Sequence, residues 1–375
     1  MNNNTSFVDF YNKHDISPVS QDISDLEKHF QRRDSLLLSL GIPALLIKGS
    51  SVIEFGAGSG HNSTYIASLS PNCYHLVDGS NIGIKETKKQ LSGYKIHDFK
   101  VVHSLFLEYK SDCLFDIVWA EGCIPHQAKP IDILKHLSSF TKKDGIFVVS
   151  MNNGISYLSE TIRRIASFMH LDDVNSIKEG VDKILPLLEC HLSHLKGMSR
   201  PVDDWIIDSI LQPLHERKLF SIPDAIEALK DNYNVYGASP KFITDWRWYK
   251  EIVGDDREFN KTALDCYYQN NLNLIDYRSK FPVHSVQFGM ELEGLCAESW
   301  DLMSLIQNGD TSQWQTFINL LGEIVRLISK KSPETSKAII ESSEWLQDGA
   351  PIDRELKYFP EWWGRGQQYL SLIKK

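Results

Sequence analysis

The sequence has no long apolar run and no run of basic residues. No window approaches eighteen consecutive apolar residues, so we expect no membrane span. The polar N-terminus, residues 1–15, has no basic segment followed by an apolar one, which predicts no signal peptide. The 49 acidic side chains outnumber the 40 lysines and arginines, and the net charge is −9. Because phosphate binding requires a basic surface, we expect no nucleic-acid partner.

Cysteine pairs at metal-binding or redox spacing are also absent. The six cysteines are far apart and none form a CxxC motif, so a reduced, cytoplasmic protein fits best. His191 and His194 lie three residues apart on a predicted helix, and that spacing can place two ligands on one face. No second Cys/His pair accompanies them. The sequence therefore predicts no metal site.

Short apolar runs alternate with helical patterns between residues 51 and 150. This alternation predicts an α/β fold with a doubly wound, mostly parallel sheet and helices on both faces. We expect a sixth strand at 233–239 and a seventh at 283–290, which makes a seven-stranded Rossmann-like sheet. The remaining sequence shows apolar residues at helix spacing.

These patterns divide the chain into five segments. We predict, in chain order, an N-terminal helical segment, a Rossmann-like core, a helical insertion, the end of the core sheet with an aromatic-rich segment, and a C-terminal helical region. Their bounds are 1–48, 49–154, 155–232, 233–290 and 291–375.

Three glycines follow the first predicted strand and precede a helix, at Gly56, Gly58 and Gly60. Glycine permits close approach of a ligand to the backbone. A P-loop requires a lysine that is absent here. A dinucleotide loop requires glycine where His61 stands, and Glu54 would repel a pyrophosphate. S-adenosylmethionine has no phosphate and carries an ammonium and a sulfonium, so a carboxylate at the strand end favours this cofactor over NAD.

The second predicted strand ends in Asp78, about twenty residues after the glycine loop. An acid at this place can accept hydrogen bonds from both ribose hydroxyls of a cofactor. An aspartate before Gly79 can also be a simple turn former. The glycine loop beside it favours the interpretation as a cofactor residue.

Four segments together resemble the core motifs of the class I S-adenosylmethionine-dependent methyltransferase superfamily. They are VIEFGAGSG (52–60), HLVDGS (75–80), FDIVWAEGCIPH (115–126) and KKDGIFVVS (142–150). The resemblance covers somewhat over a quarter of the chain. It implies S-adenosylmethionine as co-substrate, a seven-stranded doubly wound sheet, and a lid helix at HFQRRD (29–34).

The resemblance also implies which residues hold the cofactor. These are Glu54, Gly56, Ala57, Gly58, Gly60, Asp78, Gly79, Ser104, Leu105 and Glu121. The family usually has an acidic residue at the end of the third strand, and this sequence has His103, Ser104 and Leu105 there. Ser104 would hydrogen-bond the adenine and Leu105 would pack on its ring.

Candidates for catalysis follow the fourth strand, at the sheet edge where ligands bind. Glu121 would contact the methionine end of the cofactor or orient the acceptor. His126 would be a general base, or would cap the next helix or face solvent. The aromatic segment Trp246–Tyr249 would line an acceptor pocket or, as we favour, pack between the helical insertion and the sheet. We expect Trp362 and Trp363 to be structural.

The function predicted is transfer of a methyl group from S-adenosylmethionine to an oxygen or nitrogen of a small-molecule or glycan acceptor. S-adenosylhomocysteine would be released, and the helical insertion and C-terminal helices would form the acceptor pocket. Motifs typical of methylation of nucleic-acid bases are absent. A protein side-chain methyltransferase, an NAD-binding oxidoreductase and an inactive methyltransferase-fold scaffold stay open as alternatives. The sequence also allows a homodimer.

Overall fold

A computed structural model describes residues 10, 13, 21–125, 127–172, 174, 176–212 and 219–375. The chain divides into two compact units. The first comprises residues 1–151, 215–267 and 367–375, and the second comprises residues 152–214 and 268–366. No helix in these described stretches is long and apolar enough to cross a membrane.

A seven-stranded sheet forms the centre of the first unit. Its strands are β1 (Ser51–Phe55), β2 (Cys73–Asp78), β3 (Asp98–His103), β4 (Phe115–Ala120), β5 (Thr141–Met151), β6 (Tyr233–Ser239) and β7 (Gln368–Lys374). They lie in the order β3-β2-β1-β4-β5-β7-β6. Strands β1 to β5 are parallel, and β7 is antiparallel to both β5 and β6. The carboxyl ends of β1 to β6 therefore share one edge, and the predicted doubly wound, mostly parallel sheet is confirmed.

Twelve α-helices are described in the chain. They are α1 (Leu26–Ser39), α2 (Ser63–Ser68), α3 (Asn81–Leu91), α4 (Pro130–Ser139), α5 (Gly154–Phe168), α6 (Ile177–Ser193), α7 (Val202–Ile206), α8 (Ile222–Leu229), α9 (Phe259–Asn270), α10 (Val286–Gln307), α11 (Trp314–Ile328) and α12 (Pro333–Gln347). Short helical turns of other pitch lie at Ala44–Leu46, Phe106–Glu108, Ile207–Leu211, Tyr249–Glu251, Gly254–Asp256, Asn271–Leu274 and Thr311–Gln313.

Helix α1 shows how local sequence positions the site. The side chain of Asp25 accepts a hydrogen bond from the backbone N–H of Lys28, which satisfies one of the free donors at the helix start. The helix buries His29, Arg33 and Leu37, which recur every fourth residue and so lie on one face. This face packs against the sheet, so an arginine enters the interior of the first unit together with Leu37.

The second unit is helical. A Cβ atom on Gly154 would lie 2.4 Å from the backbone of Cys296, so α5 and α10 are in close contact there. Trp362 and Trp363 are 0% and 1% exposed, which confirms their predicted structural role. The Arg163 guanidinium stacks 3.6 Å from the Trp363 ring centroid and donates to three backbone carbonyls of residues 359–362.

The two histidines at metal-ligand spacing, His191 and His194, lie in this unit. His191 is buried, and its Nδ1 accepts a hydrogen bond from Nε of Arg163 at 3.2 Å. Burial and the charge of Arg163 lower the pKa of His191 to about 2. The backbone carbonyl of His191 accepts from the Trp363 indole. These contacts give His191 a structural role.

Two predictions about the end of the sheet are wrong. Residues 283–285 form no strand, and helix α10 begins at Val286. The seventh strand is instead β7, in a region predicted to be helical throughout. A short apolar run does not by itself distinguish a strand from a helix. Here the choice is made by pairing with β5, as between Ile146 and Ile373, which are far apart in sequence.

Candidate active site

The glycine loop leaves the carboxyl end of β1 in a conformation that favours glycine. Gly56, Gly58 and Gly60 have φ angles of +77°, +55° and +77°. A Cβ on Gly56 would lie 2.4 Å from the Cβ of Cys123, and one on Gly60 would lie 2.8 Å from the Cα of Thr87. The loop is therefore pressed between the segment after β4 and helix α3, and neither position has room for a side chain.

Asp78 ends β2 beside this loop and is buried. Its carboxylate accepts hydrogen bonds from the backbone N–H of Gly58 at 2.9 Å and of Ser80 at 2.7 Å. Burial raises the pKa of Asp78. Since each carboxylate oxygen can accept more than one hydrogen bond, Asp78 both anchors the loop and keeps capacity for a ligand.

Glu54 is buried within the first unit near the end of β1. Its carboxylate accepts hydrogen bonds from the hydroxyl of Ser63 at 3.0 Å and from the hydroxyl of Tyr74. Burial, together with the negative charge of Glu121, raises the pKa of Glu54 to about 7 in spite of these two donors. Glu54 therefore exchanges its proton close to neutral pH.

This raised pKa predicts a pH-dependent stability. The folded state holds the Glu54 proton more tightly than the unfolded chain, whose value is 4.5, so stability falls as pH rises from about 4.5 to about 7. Two and a half pKa units correspond to about 3 kcal/mol. We expect Glu54→Gln to flatten this fall, measured as urea unfolding midpoints between about pH 5 and pH 8. Glu27→Gln, at an exposed position on α1, is the control. An unchanged pH profile in Glu54→Gln contradicts the raised pKa.

Glu121 follows β4 and is bound by a cluster of donors. Arg33 makes two parallel hydrogen bonds to it, Nη1 to Oε1 at 2.8 Å and Nη2 to Oε2 at 2.7 Å. The Trp119 indole at 3.0 Å, the Tyr369 hydroxyl at 3.0 Å and the Asn62 amide at 3.3 Å also donate to this carboxylate. The carboxylate is thus fixed in place by elements from four parts of the chain.

Arg33 and Glu121 are the two charged groups of this cluster, and each changes the pKa of the other. Burial alone would raise the pKa of Glu121, but the charge and hydrogen bonds of Arg33 bring it below its usual value. Glu121 in turn raises the pKa of Arg33 against the effect of burial. Both groups are ionised, so Glu121 is suited to orient a ligand and unsuited to remove a proton.

Helix α1 lies directly over the loop. In addition to Arg33, the ring Nε2 of His29 hydrogen-bonds the carbonyl of His61 at 3.1 Å, and the hydroxyl of Tyr65 donates to Asp34 at 2.8 Å. The predicted HFQRRD helix therefore contributes a buried cation, and no residue of this helix had been named as a site residue. The signal was the spacing of His29, Arg33 and Leu37 along one helix face.

The residues after β3 are more open to solvent. The backbone N–H of Ser104 donates to the carbonyl of Asp78 at 3.0 Å, and Leu105 is 47% exposed. The ring of His103 hydrogen-bonds the carbonyl of Gly79 at 2.9 Å. This segment is therefore joined to the end of β2 near Asp78. The predicted base, His126, lies outside the described residues.

The aromatic segment of residues 246–249 is exposed, so our preference for a packing role is wrong. Trp246, Trp248 and Tyr249 are 91%, 57% and 72% exposed. Arg247 pairs with Asp245 at 2.6 Å. The segment follows β6, which runs parallel to β5, and so it leaves the sheet at the carboxyl edge that also carries the glycine loop.

A family model described as a methyltransferase domain matches residues 27–175, which include helix α1, the glycine loop, Asp78 and Glu121. The region from residue 27 to residue 175 is therefore similar to a methyltransferase domain. The match favours a methyltransferase over the NAD-binding oxidoreductase that the glycines alone left open.

Several solved structures are similar to this chain. N-methyltransferase NodS from Bradyrhizobium japonicum, solved with S-adenosylhomocysteine, is 15% identical, with 35% of this chain and 66% of that chain covered and a TM-score of 0.28. The CcbJ methyltransferase from Streptomyces caelestis is 18% identical, with 41% and 59% covered and a TM-score of 0.29. PKMT2 from Rickettsia typhi is 17% identical, with 67% and 51% covered and a TM-score of 0.41.

The chain spans less than two thirds of the length of each of these three proteins. Among curated protein sequences there is no significant match. What these proteins methylate therefore does not transfer to this chain.

Proposed function

We propose that this chain transfers the methyl group of S-adenosylmethionine to an oxygen or nitrogen atom of a small-molecule or glycan acceptor and releases S-adenosylhomocysteine. The observation that carries the proposal is the convergence at one sheet edge of the glycine loop, buried Asp78 and the buried Arg33–Glu121 pair. These groups offer a close backbone approach, an acceptor for hydroxyls and a pair of opposite charges. A zwitterionic nucleoside needs all three.

Each group would hold one part of the cofactor. Asp78 would accept the ribose hydroxyls, beside Gly79, while Ser104 and Leu105 would contact the adenine. Gly56, Ala57, Gly58 and Gly60 would line the space for the nucleoside. Glu54 and Glu121 would face the ammonium group of the methionine part, and Arg33 would face its carboxylate. The described side chains therefore match S-adenosylmethionine in charge.

The chain's own residues supply positioning and a proton acceptor. When bound, S-adenosylmethionine supplies a methyl group on a sulfonium leaving group. Four side chains donate hydrogen bonds to the carboxylate of Glu121. The carboxylate is therefore already in position and need not reorganise during the reaction. Glu121 would orient the acceptor, and His126, in the segment after β4, would accept the proton that a hydroxyl acceptor loses.

The exposed aromatic segment favours a glycan or another acceptor with flat apolar faces. Trp246, Trp248 and Tyr249 present their rings to solvent on the segment that leaves the carboxyl edge after β6. Aromatic faces stack on sugars and rings. The net charge of −9 disfavours an anionic polymer.

Asp78 gives the direct test of the cofactor site. We expect Asp78→Ala to weaken S-adenosylmethionine binding by about tenfold or more, because hydrogen bonds to a charged group contribute about 1.5–3 kcal/mol. Isothermal titration calorimetry measures this on the whole chain. The matched control is Asp112→Ala at an exposed loop position, which should bind as the unaltered chain does. Equal affinity for both variants, or no binding by the unaltered chain at millimolar cofactor, contradicts the assignment.

The acceptor is then identified with S-adenosylmethionine labelled at the methyl group. Purified sugars, small amines and phenols, and a basic protein are offered separately, and the labelled product is separated by size. Label in a small product that falls in Trp246→Ala/Trp248→Ala, while cofactor affinity is unchanged, supports the proposal. If the label is found only in the basic protein that was offered as acceptor, the enzyme is a protein side-chain methyltransferase instead.

A further inference from the structure

Three potential metal ligands meet at the amino ends of β2 and β3. Cys73 opens β2, and His75 lies two residues later on the same face of the strand. Asp98 opens β3 and is the register partner of Cys73. Asp78, at the other end of β2, belongs to the cofactor site. The cluster is therefore at the sheet edge opposite the glycine loop.

The three donor atoms already have the spacing of a coordination shell. Oδ2 of Asp98 lies 3.4 Å from Sγ of Cys73 and 3.0 Å from Nε2 of His75. All three atoms lie within 4.8 Å of one another. A tetrahedral zinc ion, with about 2.3 Å to sulfur and about 2.0–2.1 Å to nitrogen and oxygen, separates its ligand atoms by about 3.3–3.5 Å. Small side-chain movements are therefore enough to admit the ion.

The neighbouring groups fix the positions of the three ligands. His75 is only 5% exposed, so its ring is held in position by packing. Lys100 pairs with the other carboxylate oxygen of Asp98, Oδ1, at 3.2 Å, and this leaves Oδ2 directed at the cysteine and the histidine. Cys113 is exposed and close enough to interact electrostatically with the Cys73 thiol.

We propose that Cys73, His75 and Asp98 bind a zinc ion through Sγ, Nε2 and Oδ2, with water or Cys113 at the fourth position. Thiolate, imidazole and carboxylate together are a donor set that zinc takes. On binding, the Sγ–zinc bond forms and the thiol proton of Cys73 leaves to solvent, while the proton of His75 resides on Nδ1. The ion would join the edge strand β3 to β2, and its role would be structural.

Sequence spacing did not show this site, because Asp98 is on the next strand and no CxxC or histidine pair is involved. Only the register of β2 with β3 brings the three ligands together. The inference is independent of the acceptor proposal.

The test uses the full chain after removal of metal by a chelator. Cobalt(II) is titrated in, and its thiolate charge-transfer absorption is recorded, followed by competition with zinc and a count of ions per chain. We expect one ion per chain and a melting temperature that rises with zinc. Cys73→Ser and Asp98→Asn should each weaken binding by about tenfold or more. Cys190→Ser, at an exposed cysteine of the second unit, is the matched control and should bind normally.

Two outcomes would overturn the proposed zinc site. The first is that cobalt(II) or zinc shows no saturable binding of one ion per chain. Binding that is lost in Cys113→Ser and kept in Asp98→Asn would place the metal on exposed thiols. Asp98→Asn keeps the size of the side chain, so it provides the test if Cys73→Ser does not fold.

Discussion

Replacing Arg33 with alanine is expected to lower the free energy of unfolding by about 3–5 kcal/mol, because one partner of a buried ion pair is removed. Glu121 would be left ionised, only 13% of its side chain exposed, with the hydrogen bonds from Trp119, Tyr369 and Asn62 to compensate its charge. The midpoint of urea unfolding, followed by tryptophan fluorescence, measures the loss. Binding of S-adenosylmethionine should fall by about tenfold or more in the fraction that stays folded.

The neighbouring arginine provides a matched control. Arg32 lies on the exposed face of the same helix, so Arg32→Ala should change stability by about 0.5 kcal/mol or less. The double variant Arg33→Met/Glu121→Gln removes both charges and should recover most of the lost stability without recovering cofactor binding. Equal losses in Arg32→Ala and Arg33→Ala would show that the ion pair does not carry this stability.

The double variant also separates two roles of the Arg33–Glu121 pair. If the pair served the fold alone, restoring stability would restore cofactor affinity as well. Recovery of the unfolding midpoint with continued loss of binding therefore assigns the pair to the cofactor site.

The part of the site that is contiguous in sequence could be predicted from it. Gly56, Gly58 and Gly60 have positive φ angles as expected, and Asp78 lies against the loop. These features depend on a strand, a turn and a helix that follow each other directly. Local sequence is sufficient to specify such a unit.

The partners of the buried carboxylates could not be predicted in this way. Glu121 is held by Arg33 from α1 and Tyr369 from β7, which are 88 and 248 residues away in sequence. The strand that carries Tyr369 was itself predicted to be helical. A buried charge is compensated by whatever the tertiary fold brings near, and one sequence does not reveal that pairing.

The prediction that the aromatic segment is buried was wrong for a different reason. Trp246, Trp248 and Tyr249 are apolar enough to predict burial, yet they are exposed. Large apolar side chains on the surface often mark a place where something binds. Their position after β6, at the carboxyl edge, is what gives this exposure a meaning for the acceptor.

Replacing Gly56 with alanine is expected to abolish measurable cofactor binding and to destabilise the chain by about 2–5 kcal/mol. Two costs add up: about 1–2 kcal/mol for a Cβ at φ +77°, and about 1–3 kcal/mol for its overlap with the Cβ of Cys123 at 2.4 Å. Relief of either the backbone strain or the overlap would move the loop from the position in which it meets Asp78.

Gly49 separates the two costs, because its φ is +75° and a Cβ there would meet no atom within 4 Å. Gly49→Ala should therefore lower the free energy of unfolding only by the cost of backbone strain, and it should keep cofactor binding. Adding Cys123→Gly to Gly56→Ala removes the atom that the new Cβ meets, and should recover part of the stability and of the binding. If Gly49→Ala and Gly56→Ala lose the same stability, backbone strain is the whole effect and the close approach of Cys123 has no energetic role. If they differ by the overlap cost, the absence of a side chain at Gly56 is what lets the loop pack against Cys123 in the position in which it meets Asp78.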